Sequence, residues 1–549
     1  MKHHLLRWLS LLLAVVTVLS FAGCTPKEED TGAGRPFSTV LPGDPECLDP
    51  QFTENENAVF IIRNTMEGLL RPDADGNPVP AGCSGYTVSE DGLSYLFSLR
   101  ENSYWFSKDR DPERPERVTS RDYVFAFRRL VDPAMRSPYA EDFRCIRNAA
   151  AIIEGKKEPS YLGVSAPDGN SVLFELDYPD PEFPKLLART CAVPCNQEFF
   201  ESTKGRYGLD DGAVLCNGAF YLTKWNYDQY SDGNFLTLKK CPVYHDPDTV
   251  FPNSLQFTIL RGREAADADF AQGNADVLLT DVLHDSYLHD KDYTVMTSAP
   301  TTMGLIFNPE NELLQNKSIR EALAYGIDRA ALDRYVSEDV QMAYGVVPPA
   351  VTLLGSSYRA VQADEPLCTP YAPNKAAKLF AEAAEGLGLG TMNSVRVMVP
   401  STTADTDALL AMCQNWQELF GYYIGIETVS PEEYRNRLSS GDYSIALYGI
   451  TPERDGCCAA MQAYVSHAAL LGLENRYFSK LAEGLAHPTN MADVGKLCAE
   501  AEKTLIGTYT FIPLFYKNRY LIATAGNRDI VFDPFTNSAD FIGAKYLPD

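Results

Sequence analysis

Histidine and cysteine side chains are the residues of this chain that could hold a metal ion, so their spacing decides whether a site exists. His284 and His289 are five residues apart, which does not place them on one helical face at ligand spacing. Cys191 and Cys195 flank Pro194, and no second pair follows at zinc-finger spacing. The sequence therefore predicts no metal site.

Glycine-rich loops and nucleophile motifs give no better evidence for an enzyme. Gly386, Gly388 and Gly390 form a GLGLG run that lacks the last glycine of the dinucleotide fingerprint and follows a helix, which predicts a helix end and a loop. No GxxxxGK[ST], HExxH or GxSxG motif occurs. The 74 acidic residues leave a glycosidase-type carboxylate pair open, but no local pattern supports one. We expect no cofactor, no catalytic residue and no enzymatic activity.

Length and charge exclude several classes of protein. A chain of 549 residues is too long for one compact core, so two or more lobes are expected. The net charge of −26 argues against nucleic-acid binding, which needs clustered lysine and arginine. Apart from one N-terminal run, no apolar stretch approaches membrane-spanning length. The 30 tyrosines, 27 phenylalanines and 4 tryptophans would suit enclosure of a ligand, although most of them are expected to serve packing.

The N-terminus has the pattern of a secretory signal. A basic start at Lys2–Arg7 precedes a largely apolar stretch over Trp8–Phe21 and small residues before Cys24. We expect residues 1–23 to be a signal peptide and residues 24–35, which are polar and contain glycine, to form a flexible tether.

The residues before Cys24 resemble the lipobox of bacterial lipoproteins, although Phe21 stands where that motif usually has leucine. The resemblance implies cleavage before Cys24 and a diacylglycerol anchor on its thiol. The other 12 cysteines could form disulfides in an exported protein, but their spacings repeat no known framework. We expect some of them to be buried free thiols.

Helical and strand patterns alternate along the chain, which predicts an α/β fold. Alternating apolar residues predict strands at Tyr95–Leu99, Ser171–Leu176 and Phe235–Leu238. Amphipathic spacing predicts helices at Arg121–Val131, Ser318–Tyr335 and Asn374–Leu387, the last with its asparagine as N-cap. Breaks in secondary structure are expected near Pro300, Pro348–Pro349 and Gly355.

An ordered series of short motifs resembles the oligopeptide- and dipeptide-binding proteins of bacterial ABC importers, the extracellular solute-binding proteins of family 5. The motifs in the first half are Leu48–Pro50 with Glu67–Leu70, Asp91–Arg100 with Trp105, Val118–Leu130, Ser137–Ala140, Gly155–Val164 and Asn217–Phe220 with Trp225. Those in the second half are Gly273–Val277, Phe307–Asn308, Ile319–Arg329, Ala343–Pro349 and Ile512–Tyr516. Each motif is weak alone, but their common order over residues 36–549 is specific.

The resemblance implies a two-lobe clamp of the periplasmic-binding-protein type with an extra domain on the N-terminal lobe. We expect an N-terminal lobe over residues 36–299 with the extra domain at about 60–190, a C-terminal lobe over 300–513, and a return to the N-terminal lobe over 514–549. The two crossing segments are expected near Ala299–Gly304 and Pro513–Tyr520. Closure of the lobes would couple ligand occupancy to recognition by a membrane partner.

The resemblance also suggests where a ligand is held. Relatives anchor the peptide ammonium on an aspartate, and a gap-free alignment from Tyr443 places Glu453 there, four residues after Gly449. Asp455 is a second candidate, and Arg454 could instead receive a carboxylate. The alternative is an exposed charged turn with no ligand contact. Further ligand-binding candidates are Glu54, Tyr139 and Tyr516, whereas Thr301 and Thr451 replace a disulfide found in some relatives.

The expected function is capture of peptides outside the cytoplasm and delivery to an ABC permease. The expected partners are a peptide ligand, the permease subunits and, through the lipid on Cys24, the membrane; nucleic acid is not expected, and the protein should be a monomer. The lipoprotein would face the extracytoplasmic side of the cell membrane, or the periplasm where an outer membrane exists. Two alternatives stay open: the same fold binding another solute, such as a nickel chelate or a sugar, or a peptide-sensing lipoprotein.

Overall fold

The computed structural model describes residues 34–284, 286–287, 290–362, 367–386, 395–403, 405–485 and 491–547. The expected signal peptide, Cys24 and most of the tether lie outside the described residues, as do Gly388, Gly390 and His289.

A mixed sheet of eleven strands runs through the whole molecule. In spatial order its strands are Phe220–Asn226, Phe235–Lys240, Ser254–Ile259, Pro36–Leu41, Val277–Thr280, Phe511–Thr524, Tyr293–Phe307, Ile445–Ile450, Arg396–Pro400 and Gly425–Val429, and Val340–Met342 pairs with Phe511–Thr524 beside this path. The strand Phe235–Lys240 buries Leu236 and Leu238 on one face, which is the period-two pattern of its sequence.

Two long antiparallel strands link the two halves of this sheet. Tyr293–Phe307 pairs with Phe511–Thr524, and the register shifts once between Ser298 and Thr301 and again at Gly304. The break expected at Pro300 is wrong as a strand end, because the strand continues through it. The proline, which has no N–H to donate, is accommodated at the first shift in the ladder.

Buried side chains form separate cores on the two sides of these linking strands. Residues 37–277 and 521–544 build one core, which defines the first lobe. Residues 305–515 build two neighbouring cores, which define the second lobe. The chain therefore leaves the first lobe along Tyr293–Phe307 and comes back along Phe511–Thr524.

A small domain with its own core, built from residues 69–215, packs beside the first lobe. Its sheet contains, in spatial order, the strands Cys83–Val88, Ser94–Leu99, Ser171–Glu175 and Val164–Ser165. The helix Ser120–Val131 lies against this sheet, and Asp122 accepts the backbone N–H of Thr119 to complete a capping box. We call this unit the small domain below.

The remaining strands form two-stranded sheets: Leu70–Pro72 with Pro78–Pro80, Tyr104–Trp105 with Glu116–Arg117, Thr352–Leu353 with Ser356–Ser357, Asn527–Arg528 with Lys545–Tyr546, and Val531–Asp533 with Ser538–Asp540. The α-helices of the described residues are Glu56–Thr65, Ser120–Val131, Ala149–Ile153, Phe183–Leu187, Gln197–Ser202, Arg263–Ala271, Lys317–Tyr325, Arg329–Leu332, Tyr358–Val361, Pro373–Glu385, Thr406–Phe420, Pro431–Ser440, Cys457–Ser466, Ala468–Leu471, Arg476–Leu485 and Met491–Ile506. Short 3₁₀ helices lie at Ala140–Phe143, Pro159–Tyr161, Thr190–Ala192 and Pro247–Thr249.

Two predicted helices differ from the observed ones. The predicted helix Ser318–Tyr335 is broken, because the first part ends at Gly326 and the Asp328 carboxylate caps a second short helix by accepting the N–H of Ala331 at 3.0 Å. Asn374 is not an N-cap: Ala372 takes that position and Pro373 is the first helical residue, where its missing N–H costs nothing. Gly386 ends this helix, as predicted.

The twelve cysteines of the described residues are free thiols, and ten of them are buried. No helix in the described part of the chain is both long enough and apolar enough to cross a membrane.

Candidate functional site

Two cavities lie where the small domain and the first lobe face the second lobe. The smaller cavity, of about 320 Å³, is lined by Arg63 of the first lobe, Lys185 of the small domain and Thr352 of the second lobe, among others. The larger cavity, of about 620 Å³, lies between the small domain and the helices of the second lobe. Arg189, Glu453 and Arg454 line both cavities and so form the wall between them.

Three ion pairs cross from the small domain to the second lobe at this wall. Lys185 Nζ lies 2.5 Å from Asp455 Oδ2, Arg189 Nη2 lies 2.5 Å from Glu453 Oε2, and Arg454 Nη1 lies 3.1 Å from Glu182 Oε2. We call these three pairs the cross-lobe cluster. Because each pair joins the two sides, together they favour the closed arrangement of the lobes.

The third pair sits at the start of a helix. Gly456 precedes the helix Cys457–Ser466 with φ near 135°, and a Cβ there would lie 2.7 Å from both carboxylate oxygens of Glu182. A glycine is therefore needed for the carboxylate to approach so closely. The positive end of the helix dipole and the Arg454 guanidinium both stabilise the negative charge of Glu182 at this point.

Arg189 is the centre of a three-residue charge cluster. Its Nη1 atom donates to Asp142 Oδ2 at 2.6 Å while its Nη2 atom donates to Glu453, and the guanidinium lies 5.0 Å from the ring centre of Tyr139. Burial raises the pKa of the Glu453 carboxyl, Arg189 lowers it and nearby Asp142 raises it further, with a net increase. The Glu453 side chain nevertheless stays 51% exposed towards the cavities.

Asp180 is a second perturbed acid in the wall of the larger cavity. Its Oδ1 atom accepts the backbone N–H of Glu182 at 2.9 Å. Burial raises the pKa of its carboxyl to about 6, in spite of the opposing effect of Arg454. This carboxyl therefore keeps its proton to a higher pH than an ordinary aspartate does.

The walls show no arrangement for covalent catalysis. Cys191 lines the smaller cavity, and burial raises the pKa of its thiol to about 12, which suppresses the reactive thiolate. His467 lines the larger cavity, but its Nδ1 atom contacts the carbonyl of Ala463 at 2.7 Å. Among the described residues lining both cavities, no serine or thiol hydrogen-bonds to a histidine, and no group of three potential metal ligands is present in the described chain. The arrangement is that of a binding cleft.

Four of the residues predicted to bind ligand come together here. Tyr139 and Asp455 line the smaller cavity, and Glu453 and Arg454 line both. The charged turn is thus not a free surface loop, but each of its three charges already has a partner from the small domain.

Three predicted residues lie outside the linings of the two cavities. Glu54 is exposed beside Tyr139, whose hydroxyl donates to the carbonyl of neighbouring Thr53. Gly449 faces Met303 of the adjacent strand, which leaves no space for a Cβ. The Tyr516 side chain is buried, and its hydroxyl donates to the carbonyl of Gly345 at 3.1 Å. Burial against protein groups explains why Tyr516 does not reach the cavities.

Sequence reasoning missed the residues that face the charged turn. No recognisable motif surrounds Asp142, Glu182, Lys185 or Arg189. The three cross-lobe ion pairs join residues that lie more than 260 positions apart in the chain. Asp142 and Arg189, which also pair, are closer to each other in sequence. Thr301 and Thr451, which the resemblance places where some relatives have a disulfide, are indeed neighbours in space: their hydroxyl oxygens lie 2.7 Å apart.

Two lobes linked by two strands, with cavities between them, are the architecture of a clamp-type binding protein. Residues 77–469 match the family described as bacterial extracellular solute-binding proteins, family 5 (middle region). This chain belongs to that family.

Curated relatives cover nearly the whole chain. The oligopeptide-binding protein OppA of Bacillus subtilis is 26% identical over 538 residues, which are 93% of this chain and 94% of the relative. The dipeptide-binding protein DppE of the same organism is 22% identical over 532 residues, with 94% and 95% covered.

Solved structures confirm the two-lobe fold. The substrate-binding domain of an oligopeptide ABC transporter from Bacillus anthracis superposes with a TM-score of 0.75 at 24% identity, covering 94% of this chain and all of that one. OppA of Listeria monocytogenes, solved with a bound peptide, gives a TM-score of 0.74 at 21% identity, with 94% and 99% covered. The predicted family and fold class are therefore confirmed.

Proposed function

We propose that this protein is the substrate-binding component of an ABC importer and that it captures peptides by closure of its lobes. The observation that carries the proposal is the pair of cavities enclosed between the lobes of a family 5 binding protein. Cavities of these sizes are typical of small-ligand sites. The names of the relatives, oligopeptide-binding and dipeptide-binding proteins, favour a peptide over a sugar or a nickel chelate.

Glu453 is the group of this cleft that receives the ammonium of the ligand. Its carboxylate is half exposed to the cavities although it lies within a largely desolvated wall. An ammonium placed there would gain a charge-assisted hydrogen bond in a medium of low polarity. Tyr139 and the Asp455–Lys185 pair would line the adjoining space, whereas Glu54, Gly449 and Tyr516 would act only through neighbouring residues.

Thermal-shift titration tests peptide capture directly. A pool of random tetrapeptides should raise the unfolding temperature as its concentration passes the dissociation constant, because ligand binds only the folded state. A panel of mono- and disaccharides and of nickel–histidine should leave it unchanged. Stabilisation by a sugar or by the nickel chelate, with none by peptides, would contradict the peptide assignment and leave the fold untouched.

We further propose that the protein is exported, cleaved before Cys24 and anchored by lipid on that thiol, with an N-terminal lobe over residues 36–299, a C-terminal lobe over 300–513 and a return over 514–549. The small residues before Cys24 and the polar residues after it support the anchor. Cys24→Ser should release the protein from membranes into the aqueous fraction. A variant that stays membrane-bound after high-salt washing would place the anchor elsewhere.

A further inference from the structure

The ion-paired groups in the wall between the cavities differ in their ratio of cations to anions. Lys185 with Asp455 is one cation with one anion, and so is Arg454 with Glu182. Arg189, however, is shared by two carboxylates, those of Asp142 and Glu453. When both acids are ionised, the third group therefore carries one more negative charge than positive charge.

Both acids of this group lie at the larger cavity. Arg189 donates one hydrogen bond to each acid, to Oδ2 of Asp142 and to Oε2 of Glu453. Asp142 and Glu453 also lie within side-chain hydrogen-bonding reach of each other, and both residues line the larger cavity. Two acids that share one guanidinium can be neutralised by one further monovalent cation.

We propose that Asp142 of the small domain and Glu453 of the second lobe jointly bind the ammonium of the ligand, so that Asp142 is a second residue that determines specificity. The inference rests on the proposed function and deepens it. A primary ammonium supplies three N–H donors, enough to reach both carboxyl groups, and its charge neutralises the group. An acylated amine offers one uncharged donor and leaves the excess charge in place.

The arrangement links recognition to closure. Asp142 and Arg189 belong to the small domain, whereas Glu453 belongs to the second lobe, so the carboxylates approach each other only when the lobes close. Without an added cation, the repulsion between them opposes closure. A ligand ammonium removes this repulsion at the closing contact, so a free-amine ligand stabilises the closed form more than its acylated counterpart does.

Thermal-shift titration with two peptide pools tests the proposal. The probes are random tetrapeptides with a free N-terminus and the same pool after N-acetylation. Asp142→Asn should raise the concentration of the free-amine pool needed for half the stabilisation by roughly tenfold, which corresponds to about 1.4 kcal/mol. The acetylated pool should act equally on variant and parent. Asp142→Glu, which keeps the charge, should restore most of the response to the free-amine pool.

A matched control removes another acid of the same cavity. Glu483 lines the larger cavity and is exposed, but it does not contact Arg189, so Glu483→Gln should leave both titrations unchanged. An equal loss for both pools in Asp142→Asn, or no loss for either, would overturn the role of Asp142 while peptide capture stands. A parent protein that responds equally to both pools would overturn the ammonium site. A parent that responds to neither would refute the proposed peptide function itself.

Discussion

Two charged clusters of this molecule contain similar groups but differ in how many of their polar atoms have a hydrogen-bond partner. In the second lobe, the fully buried Glu502 carboxylate accepts the backbone N–H groups of Val346 and Val347 at 2.7 and 3.0 Å, the Tyr358 hydroxyl at 3.2 Å and the Arg359 guanidinium. We call this the Glu502 cluster. In the cross-lobe cluster, by contrast, Oε1 of Glu182 is buried without a hydrogen-bond partner and Glu453 is half exposed.

The Glu502 cluster stabilises the fold of one lobe, whereas the cross-lobe cluster stabilises one arrangement of the lobes relative to each other. All four partners of Glu502 lie in the same lobe as Glu502, so the cluster stays together when the lobes move relative to each other. The pairs of the cross-lobe cluster join parts of the molecule that lobe opening would separate, so full satisfaction there would hold the cleft shut and slow ligand exchange. A contact in which some polar atoms lack a hydrogen-bond partner is easier to break, which suits a contact that must form and break repeatedly.

Removal of the Glu502 charge should give the largest effect on stability. Glu502→Gln leaves the Arg359 guanidinium without its anion in the interior, and such a loss typically costs about 3–5 kcal/mol. Urea unfolding followed by circular dichroism measures it. Glu500→Gln, an exposed change on the same helix, should cost less than about 0.5 kcal/mol. Equal costs for the two variants would show that Glu502 does not hold the second lobe together.

The next effect is a change of stability with pH, which Asp180 in the wall of the larger cavity should cause. The raised pKa of Asp180 means that the folded state holds this proton more tightly than the unfolded state between about pH 4 and 6. Stability should therefore fall as pH rises through that window, by up to about 3 kcal/mol, and the loss is complete above about pH 6. Asp180→Asn should remove this loss and be more stable than the parent at pH 7.

Urea midpoints at pH 4 and pH 7 measure the Asp180 effect. The difference between parent and Asp180→Asn should be larger at pH 7 than at pH 4. The exposed acid Asp177, which lines the same cavity, provides the control variant Asp177→Asn, whose urea midpoints should stay close to those of the parent, as is usual for a surface substitution. A parent and an Asp180→Asn variant that lose stability in parallel would show that Asp180 titrates normally.

Glu453→Gln should affect binding more than folding. Truncation of one partner of a desolvated charge pair costs about 2–5 kcal/mol, so a free-amine peptide should bind roughly 30-fold more weakly. The N-acetylated peptide should bind almost as before, since it carries no ammonium. Isothermal titration with both peptides, together with urea unfolding, separates the two effects. Unchanged affinity for both peptides would make Glu453 an ordinary acid of the cleft wall.

The smallest effect is expected for closure without ligand. Lys185→Met removes one cross-lobe pair, but the effect should be modest, because the Asp455 carboxylate keeps its hydrogen bonds from the backbone N–H and the hydroxyl of Thr352. Small-angle scattering of the ligand-free variant should show a slightly larger radius of gyration, while exposed Lys480→Met should match the parent. A saturating peptide should compact all three proteins. A radius that no variant and no ligand changes would count against the clamp.

Local sequence patterns predicted the scaffold better than the site. The strand predicted at Tyr95–Leu99 and the helix predicted at Arg121–Val131 each differ from the observed element by one residue, because their patterns are set by neighbours in the chain. Glu453 was placed through its family motif. Arg189 could not be placed, since its contact with Glu453 depends on how two lobes meet after the chain has crossed between them.

The strand Phe511–Thr524 has a consequence for the order in which the protein can assemble during synthesis. It pairs with Val277–Thr280, Tyr293–Phe307 and Val340–Met342, so it completes both lobes at once. Until these late residues emerge, the earlier strands present unpaired edges that can join other chains. A nascent chain must therefore be kept from its neighbours over most of its length, and the native sheet closes only when synthesis is almost finished.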